Sequence, residues 1–326
     1  MATSPTQGAH HERNIPLESI LAARQRVYQA AVRTPLVRLQ TDEAPGEIYL
    51  KLESFQPIGS FKLRGAFNAI SMLPAEDRAR GVWTISAGNA AQGVALAAKI
   101  LGARCDVMVM DTAPAAKLDA IKRLGASITK ASMDECWATL SERKHPKFQG
   151  VFVHPFDDDN FIAGNATVGL EILEDLPDVS SVVAGFGGGG LSCGIASAMA
   201  AVKPGVKVYG AEPETASPLH LSFEKGSAQA FPGWKTSWVD GCGGKSVFPS
   251  MWALASRLLA GSIVTTLEET RRAMAIVARR NHIICEGAAA CAVAAGLSGK
   301  AGTGKIVCVV SGGNIDLSKF SELVSA

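Results

Sequence analysis

The stretch that decides the fold runs Gly59-Ser60-Phe61-Lys62-Leu63-Arg64-Gly65-Ala66. Its lysine stands between an aromatic and an aliphatic residue, after the loop residues Pro57 and Gly59, and a helical pattern begins behind it. Apolar neighbours and a nearby helix N-terminus disfavour the charged form of an amine, whose free pKa is about 10.4. An uncharged amine can form a Schiff base with a carbonyl compound. A lysine that merely reaches the solvent along its apolar stem shows the same pattern, so the motif needs support from the rest of the chain.

The composition bounds the class of protein. A chain of 326 residues is long enough for two domains. Hydrophobic residues make up 47% and charged residues 19%, which is typical of an α/β enzyme. The net charge of +2, with no basic block, argues against nucleic acid as the partner. The seven cysteines are scattered and form no C-x-x-C pair, which indicates reduced thiols in a cytoplasmic protein and no zinc site.

Two segments have the position or the length of a targeting or membrane element. The first dozen residues are polar, carry His10 and His11, and lack the apolar core of a signal peptide, so we expect a disordered tail. The segment 182–202 has no charged residue and is long enough to span a bilayer. It contains six glycines, however, which favours a buried strand, a loop and a helix over a spanning helix. We therefore predict a soluble protein without a membrane partner.

Strands and helices alternate along most of the chain. This alternation predicts βαβ units and parallel sheets. The predicted strands cover 48–52, 82–86, 106–110, 127–129, 151–153, 182–185, 206–211 and 306–310. The predicted helices cover 17–31, 90–101, 114–124, 165–176, 191–202, 267–280 and 288–297, with a polar turn at 157–160 and an irregular segment at 231–252.

A glycine block, Gly185-Phe186-Gly187-Gly188-Gly189-Gly190, lies between a predicted strand and a helix. Backbone N–H groups in such a loop can surround an anion, and the helix N-terminus favours its negative charge. The same letters satisfy G-x-G-x-x-G, and Glu212 ends the next strand, which would suit a dinucleotide whose ribose is bound by the carboxylate. The glycines could also serve only close packing of strand and helix. The pattern by itself leaves all three interpretations open.

Two further clusters follow predicted strands: Ser86-Ala87-Gly88-Asn89 and Ser311-Gly312-Gly313-Asn314. Both belong at the carboxyl ends of parallel strands, where α/β proteins place their ligands. A Schiff-base lysine, two anion-binding loops and a serine at a strand end together fit an enzyme that uses pyridoxal phosphate.

Four motifs, in this order along the chain, resemble those of fold-type II pyridoxal phosphate enzymes, and within them the threonine/serine dehydratase and serine racemase family. They are Ser60-Phe61-Lys62-Leu63-Arg64-Gly65-Ala66, Ser86-Ala87-Gly88-Asn89-Ala90-Ala91-Gln92-Gly93, Gly187-Gly188-Gly189-Gly190-Leu191 and Ser311-Gly312-Gly313-Asn314. The resemblance runs from about Ile15 to the C-terminus. It implies a two-domain α/β fold, like that of the tryptophan synthase β chain, with the active site in the cleft between parallel sheets. We expect a large domain formed by residues 1–75 and 154–326 and a small domain formed by 76–153.

The resemblance also implies the residues that bind pyridoxal 5'-phosphate. Lys62 would be the catalytic residue, bound to the cofactor as a Schiff base and later moving the proton of the substrate α-carbon. Phe61 would pack on the pyridine ring, Asn89 would donate to the phenolic oxygen, Ser311 would meet the pyridine nitrogen, and Glu286 would lie near the ring. A surface position was the alternative for Glu286. The phosphate would be held by the backbone N–H groups of Gly187, Gly188, Gly189, Gly190 and Leu191.

The substrate carboxylate would be bound by Ser86, Asn89 and the N–H group of Ala90. At this last position the family usually has a histidine, and where the family has G-Q-G-T this chain has Gly164-Asn165-Ala166-Thr167. The carboxylate that usually partners Glu212 is replaced by Pro218, which makes a divalent-cation site doubtful, so we predict no metal.

These observations predict a lyase that eliminates water from a β-hydroxy-α-amino acid to give a 2-oxo acid and ammonia. The candidate substrates are L-threo-3-phenylserine, L-threonine and L-serine, and the missing imidazole at Ala90 favours the phenyl group. Trp234, Trp238 or Phe248 could instead fill that space and preserve threonine specificity. The rivals are an NAD-dependent oxidoreductase, a serine racemase and a non-catalytic amino-acid-binding relative. The resemblance further implies a homodimer, and we expect no appended regulatory domain.

Overall fold

A computed structural model describes residues 13–325, and the N-terminal tail predicted to be disordered lies outside this range. Within it the chain forms ten strands. They are β1 (Leu36–Arg38), β2 (Glu47–Leu52), β3 (Val82–Ile85), β4 (Cys105–Met110), β5 (Ser127–Ala131), β6 (Val151–Phe152), β7 (Ser181–Gly185), β8 (Lys207–Pro213), β9 (Gly261–Thr265) and β10 (Lys305–Val310).

The same residues form thirteen α-helices, with a short 3-10 helix at Glu53–Phe55. The helices are α1 (Leu17–Val27), α2 (Lys62–Ser71), α3 (Ala75–Ala79), α4 (Asn89–Ile100), α5 (Ala115–Arg123), α6 (Met133–Glu142), α7 (Asp159–Asp175), α8 (Ser192–Val202), α9 (Pro218–Lys225), α10 (Pro249–Leu258), α11 (Leu267–Asn281), α12 (Gly287–Leu297) and α13 (Leu317–Ser325). None of these helices is both long enough and apolar enough to cross a membrane.

The strands form two sheets. The larger has the order β1-β2-β10-β7-β8-β9 and is parallel except for the edge strand β1, which is antiparallel to β2. The smaller has the order β5-β4-β3-β6 and is parallel throughout. The predicted α/β class with two parallel sheets is confirmed. All four strands of the smaller sheet lie between residues 82 and 152. The boundaries proposed above for the small domain, 76–153, stay a prediction.

The core of the larger sheet follows from its apolar sequences. Five of the six residues of β10 are buried, as expected for a central parallel strand covered on both faces. Helix α12 consists mainly of alanine and is buried along ten of its eleven residues. A Cβ atom at Gly296 would lie 2.3 Å from the sulfur of Cys308 on β10. Small side chains therefore let α12 lie directly on the sheet.

Three loops leave the carboxyl ends of parallel strands, and these loops carry the motifs singled out above. Strand β3 leads into the turn before α4, β7 into the glycine block before α8, and β10 into the Ser311 loop. The segment 182–202 is a strand, a loop and a helix, as predicted.

Some predicted boundaries were wrong. Helix α7 begins at Asp159 rather than at residue 165, because the side chain of Asp158 caps it by accepting a hydrogen bond from Phe161 N. The expected polar turn at 157–160 is therefore mostly the start of this helix. The first helix ends at Val27, four residues earlier than predicted. Helix α10 begins inside the segment that seemed irregular, with Pro249 in its first turn.

Candidate active site

Lys62 is the first residue of α2 and is only partly exposed. Its Nζ atom donates a hydrogen bond to the carbonyl oxygen of Pro155 at 2.6 Å and lies 5.2 and 5.4 Å from the ring centres of Phe61 and Phe161. Burial lowers the pKa of the Lys62 amine to about 8, while the charge of Glu286 acts in the opposite direction. A substantial fraction of the amine is thus uncharged slightly above neutral pH, as the sequence motif predicted.

The chain before Lys62 is fixed to the end of β10. Ser60 forms an antiparallel bridge with Gly312, and the N–H of Phe61 donates to the carbonyl of Ser311 at 3.0 Å. The structure therefore brings together two residues that lie 249 positions apart, Lys62 and Ser311, through backbone bonds. The hydroxyl of Ser311, a buried residue, has no hydrogen-bond partner among the described residues.

Helix α4 places the second motif against Lys62. A Cβ atom at Gly93 would lie 3.0 Å from the carbonyl carbon of Lys62, so the glycine lets the two helices touch at this point. The N–H groups of Asn89 and Ala90, in the first turn of α4, have no partner among the residues described. A Cβ atom added at Gly88 would meet nothing within 4 Å, so open space lies beside this turn. The hydroxyl of Ser86 accepts a hydrogen bond from Gly88 N at 3.1 Å.

Glu286 lies at the base of the same region and is 5% exposed, so the surface alternative for it is wrong. The side-chain amide nitrogen of Asn89 donates to both of its carboxylate oxygens, at 2.9 and 3.0 Å. Burial raises the pKa of Glu286 to about 7, and the hydrogen bond from Asn89 opposes this shift. The carboxyl group can therefore change its charge near neutral pH.

The glycine block supplies a set of unpaired backbone donors. Among the described residues, none accepts a hydrogen bond from the N–H groups of Gly187, Gly188, Gly189, Gly190 or Leu191, which precede the N-terminus of α8. Unpaired donors at a helix N-terminus are a suitable site for an anion.

Close packing also requires glycines in this block. A Cβ atom at Gly188 would lie 2.1 Å from the ring of Phe156, and Gly189 has a left-handed φ of +89°. Phe156 belongs to the turn that follows β6, and the neighbouring Pro155 accepts the hydrogen bond from Lys62. One turn thus contacts both the lysine and the glycine block.

Glu212 is fully buried, and its hydrogen-bond partners are not among the site residues described above. Its carboxylate accepts hydrogen bonds from the N–H groups of Leu219 and His220, at 2.8 and 2.9 Å, and from the hydroxyl of Ser262 at 2.7 Å. Its oxygens are engaged by the N-terminus of α9, so this carboxylate is not available to a ribose at the glycine block.

The unpaired groups match a ligand that carries three functional groups. Five backbone N–H groups suit a phosphate, an amine with a lowered pKa suits an aldehyde, and a neutral serine hydroxyl without a partner suits a pyridine nitrogen. The residues present therefore fit pyridoxal phosphate. The structure brings Lys62 and Phe61 together with Asn89, Glu286 and Ser311 through the contacts above, while Phe156 joins them to the glycine block.

Several residues that build the site were not predicted from the sequence. Asn314 had no predicted role, although its side chain donates to Asn89 Oδ1 at 2.7 Å. Gly93 and Phe156 had none either. Asn165, noted only as a departure, is fully buried and donates to the carbonyl of Gly190 at 3.2 Å. The available signal for Asn314 and Gly93 was their place inside the motifs, whereas Phe156 lies outside them. All of these contacts depend on residues distant in sequence.

Comparison with known proteins gives concordant results. Residues 27–312 match the family described as pyridoxal-phosphate dependent enzyme. The L-threonine ammonia-lyase of Thermotoga maritima is 38% identical over 95% of this chain and 78% of its own length. The catabolic L-threonine dehydratase of Escherichia coli is 35% identical over 95% of this chain and 96% of its own. Among solved structures, maize serine racemase superposes with a TM-score of 0.88 at 31% identity, covering 96% of this chain and 97% of that one.

Proposed function

This chain belongs to the threonine and serine dehydratase family of pyridoxal-phosphate-dependent enzymes, and from that premise we propose that it is a dehydratase that prefers β-aryl hydroxy amino acids, with L-threo-3-phenylserine as the model substrate. The protein is a pyridoxal-phosphate-dependent lyase. The rival interpretation as an NAD-dependent oxidoreductase is wrong, because the matched family uses pyridoxal phosphate and Glu212 is already engaged inside the protein. A homodimer and a cytoplasmic location stay predictions.

The proposed cofactor residues follow from the unpaired groups. The N–H groups from Gly187 to Leu191 would hold the phosphate, Ser311 would meet the pyridine nitrogen, and Asn89 would donate to the phenolic oxygen. When bound, the cofactor withdraws electrons from the substrate α-carbon and makes its hydrogen acidic. A neutral serine at the ring nitrogen, rather than a carboxylate, limits this withdrawal and favours elimination over transamination.

The substrate would be held and deprotonated by residues of two helices. The hydroxyl of Ser86 and the unpaired N–H groups at the start of α4 offer donors to the substrate carboxylate, and the helix dipole favours its charge. The Lys62 amine, with its lowered pKa, would take the α-hydrogen as a proton. Loss of water and hydrolysis then give the 2-oxo acid and ammonia.

We propose elimination rather than racemisation as the main reaction. Racemisation needs an acid that protonates the opposite face of the α-carbon, and Ala87, beside the carboxylate turn, offers no such group. We expect L-serine to yield 2-oxo acid with little D-serine. If D-serine formed at a rate close to that of 2-oxo acid, this part of the proposal would be wrong.

The preference for an aryl side chain is supported by Ala90, which is 5% exposed at the start of α4, where an imidazole was expected. The three aromatic residues that could have filled the space each have packing partners of their own. The ring of Phe248 lies 5.3 Å from that of Phe156, and Lys245 lies over Trp234 at 4.8 Å. Trp238 lies next to Gly287, at whose position a Cβ atom would be 3.1 Å from its ring. We propose that a substrate phenyl group takes the place of the missing imidazole beside Ala90.

The test is kcat/KM for L-threo-3-phenylserine, L-threonine and L-serine, scored by 2-oxo acid formation. A buried CH₂ group contributes roughly 0.8 kcal/mol, so a phenyl group should be preferred to a methyl group by about tenfold or more. We expect phenylserine to be used at least as well as threonine, and serine to be used least. A threonine value about ten times that of phenylserine would exclude the enlarged pocket.

The variant Ala90→His should shift the preference back towards threonine by refilling the pocket. Lys99→His is the matched control, since it introduces the same imidazole at the exposed end of α4. If both variants changed the ratio equally, Ala90 would not determine specificity.

A further inference from the structure

Asn314 joins three parts of the site, although no reaction step requires it directly. Its side-chain nitrogen donates to the side-chain oxygen of Asn89 at 2.7 Å and to the carbonyl oxygen of Ile58 at 2.8 Å. The side-chain nitrogen of Asn89 in turn donates to the carboxylate of Glu286. Asn314, Asn89 and Glu286 thus form a chain of side-chain hydrogen bonds.

The position of Asn314 is fixed by the chain around it. Gly313 N donates to the carbonyl of Gly59 at 2.9 Å, next to the bridge between Ser60 and Gly312. A Cβ atom at Gly59 would lie 2.7 Å from the side-chain oxygen of Asn314. The glycine therefore leaves room for this amide in the loop that leads to Lys62.

The chain of hydrogen bonds has a direction. The oxygen of Asn89 faces a donor, the amide nitrogen of Asn314, and its nitrogen faces an acceptor, the carboxylate of Glu286. If the Asn89 amide were reversed, two NH₂ groups would face one another, and its oxygen would face a carboxylate. Both contacts would be unfavourable, so these partners allow one orientation of the Asn89 amide.

We propose that Asn314 is a positioning residue, which holds Asn89 with its NH₂ group turned towards the cofactor site so that Asn89 can donate to the cofactor's phenolic oxygen. This inference rests on the proposed function of Asn89. One N–H of the Asn89 amide is used by Glu286, and the second remains for the ligand.

The experiment compares Asn314→Asp and Asn314→Ala with the wild-type holoenzyme. The measured quantities are the dissociation constant of pyridoxal 5'-phosphate and the visible absorption band of the bound cofactor. An ionised carboxylate at this position can only accept, so it opposes the native orientation of Asn89, whereas alanine leaves it unfixed. At about pH 8 we expect the dissociation constant to rise roughly tenfold or more in Asn314→Asp and by less in Asn314→Ala.

Protonation provides a specific rescue. As the pH falls to about 4 and below, the introduced carboxyl group gains a proton that it can donate to Asn89, so Asn314→Asp should approach the wild-type affinity while Asn314→Ala should not. Glu286 and Lys62 face the same site, with Asp240 and Lys117 near Glu286. Because these groups are present in all the proteins compared, the ratio of variant to wild type is used at each pH.

The matched control is Asn281→Asp. Asn281 also donates and accepts through its amide, to Arg38 O at 2.9 Å and from Gln40 N at 3.2 Å, but these partners lie at and just after the end of β1 and are not among the site residues. The Asn281→Asp variant should leave the cofactor affinity unchanged. Affinities of both Asn314 variants within about twofold of wild type, or equal losses without rescue at low pH, would overturn the inference. A wild-type protein that binds no pyridoxal phosphate would instead overturn the proposed function.

Discussion

At the scale of single residues, Lys62 owes its lowered pKa to burial of its amine rather than to a charged neighbour. Its Nζ atom is bonded to the neutral carbonyl of Pro155, and the nearby Glu286 works against the lowered pKa. Removal from water is therefore the dominant cause of the shift. A lysine paired directly with a carboxylate would stay protonated and would be a poor nucleophile.

The first prediction is that Lys62→Ala loses the visible absorption band of the bound cofactor and nearly all turnover. The variant should remain folded, because the lysine head group contributes one hydrogen bond and carries a burial cost. Absorption spectra, 2-oxo acid release and thermal unfolding check this. Lys99→Ala, at an exposed position on α4, is the control. A Lys62→Ala protein that kept more than a few per cent of its activity would contradict the assignment.

The site residues that the sequence could indicate are those whose chemistry is local. Lys62 has apolar neighbours in its own motif, and Ser311 follows an apolar strand, so each was visible as a pattern of letters. Asn314 was not, because its partner Asn89 lies 225 residues away. Gly93 likewise owes its importance to the packing of α4 on Lys62. Contacts between distant residues leave no mark in a single sequence.

At the scale of elements, the glycine block meets two demands at once. Its N–H groups remain unpaired before α8, and its backbone lies directly on the ring of Phe156. That ring is itself held by His154 and Phe248, with ring centres 4.5 and 5.3 Å away. Anion binding and close packing are therefore not exclusive interpretations of the glycine block, since the packing holds the unpaired N–H groups in place.

The second prediction concerns Gly188→Ala. The added Cβ atom would lie 2.1 Å from Phe156, whose ring cannot move freely, so overpacking should reduce the free energy of unfolding by about 1–3 kcal/mol. Displacement of the loop should also weaken cofactor binding by more than about tenfold. Gly244→Ala is the matched control, because its Cβ atom would have no neighbour closer than 3.7 Å. Chemical denaturation and cofactor titration measure both effects, and equal behaviour of the two variants would refute the steric argument.

The elements themselves were predictable where apolar periodicity was strong. Strand β10 and helix α12 were both found to within one residue at their starts. The start of α7 was missed because an aspartate cap, Asp158, resembles a turn. Helix α9 lay in a stretch that received no assignment, since its proline and polar residues obscure the helical period.

At the scale of the whole molecule, buried charges join elements that are far apart in sequence. Arg64, two residues after Lys62, is fully buried between Glu53, at 2.8 Å, and Glu171 of α7, at 2.6 Å. Lys51 of β2 contacts the same Glu171 at 2.7 Å. Removing one member of such a network costs about 3–5 kcal/mol, because the others are left buried and unpaired. The helix that carries Lys62 is thereby attached to the larger sheet.

Glu212 is a different kind of buried charge, because no cation lies against it among the described residues. Its carboxylate is held by two backbone N–H groups of α9 and by Ser262. These hydrogen bonds do not fully compensate its burial, which raises the pKa of Glu212 to about 7. The folded protein therefore binds a proton at this carboxyl group in a pH range where the unfolded chain has lost it.

The last prediction follows from this difference. A carboxyl group whose pKa is raised on folding stabilises the folded state below its unfolded pKa of about 4.5, and that stabilisation is lost as the pH rises through about 7. In Glu212→Gln this titration is absent. The difference in unfolding free energy, wild type minus variant, should thus fall by up to ~3 kcal/mol across this window and change little outside it.

Chemical denaturation of the two apoproteins at several pH values measures this difference, and because Glu286 titrates in both, its contribution cancels. Glu224→Gln, which removes an exposed carboxylate from α9, controls for the loss of one negative charge. A difference that stays constant between these pH values would show that Glu212 is ionised throughout, and that the N-terminus of α9 compensates its burial completely.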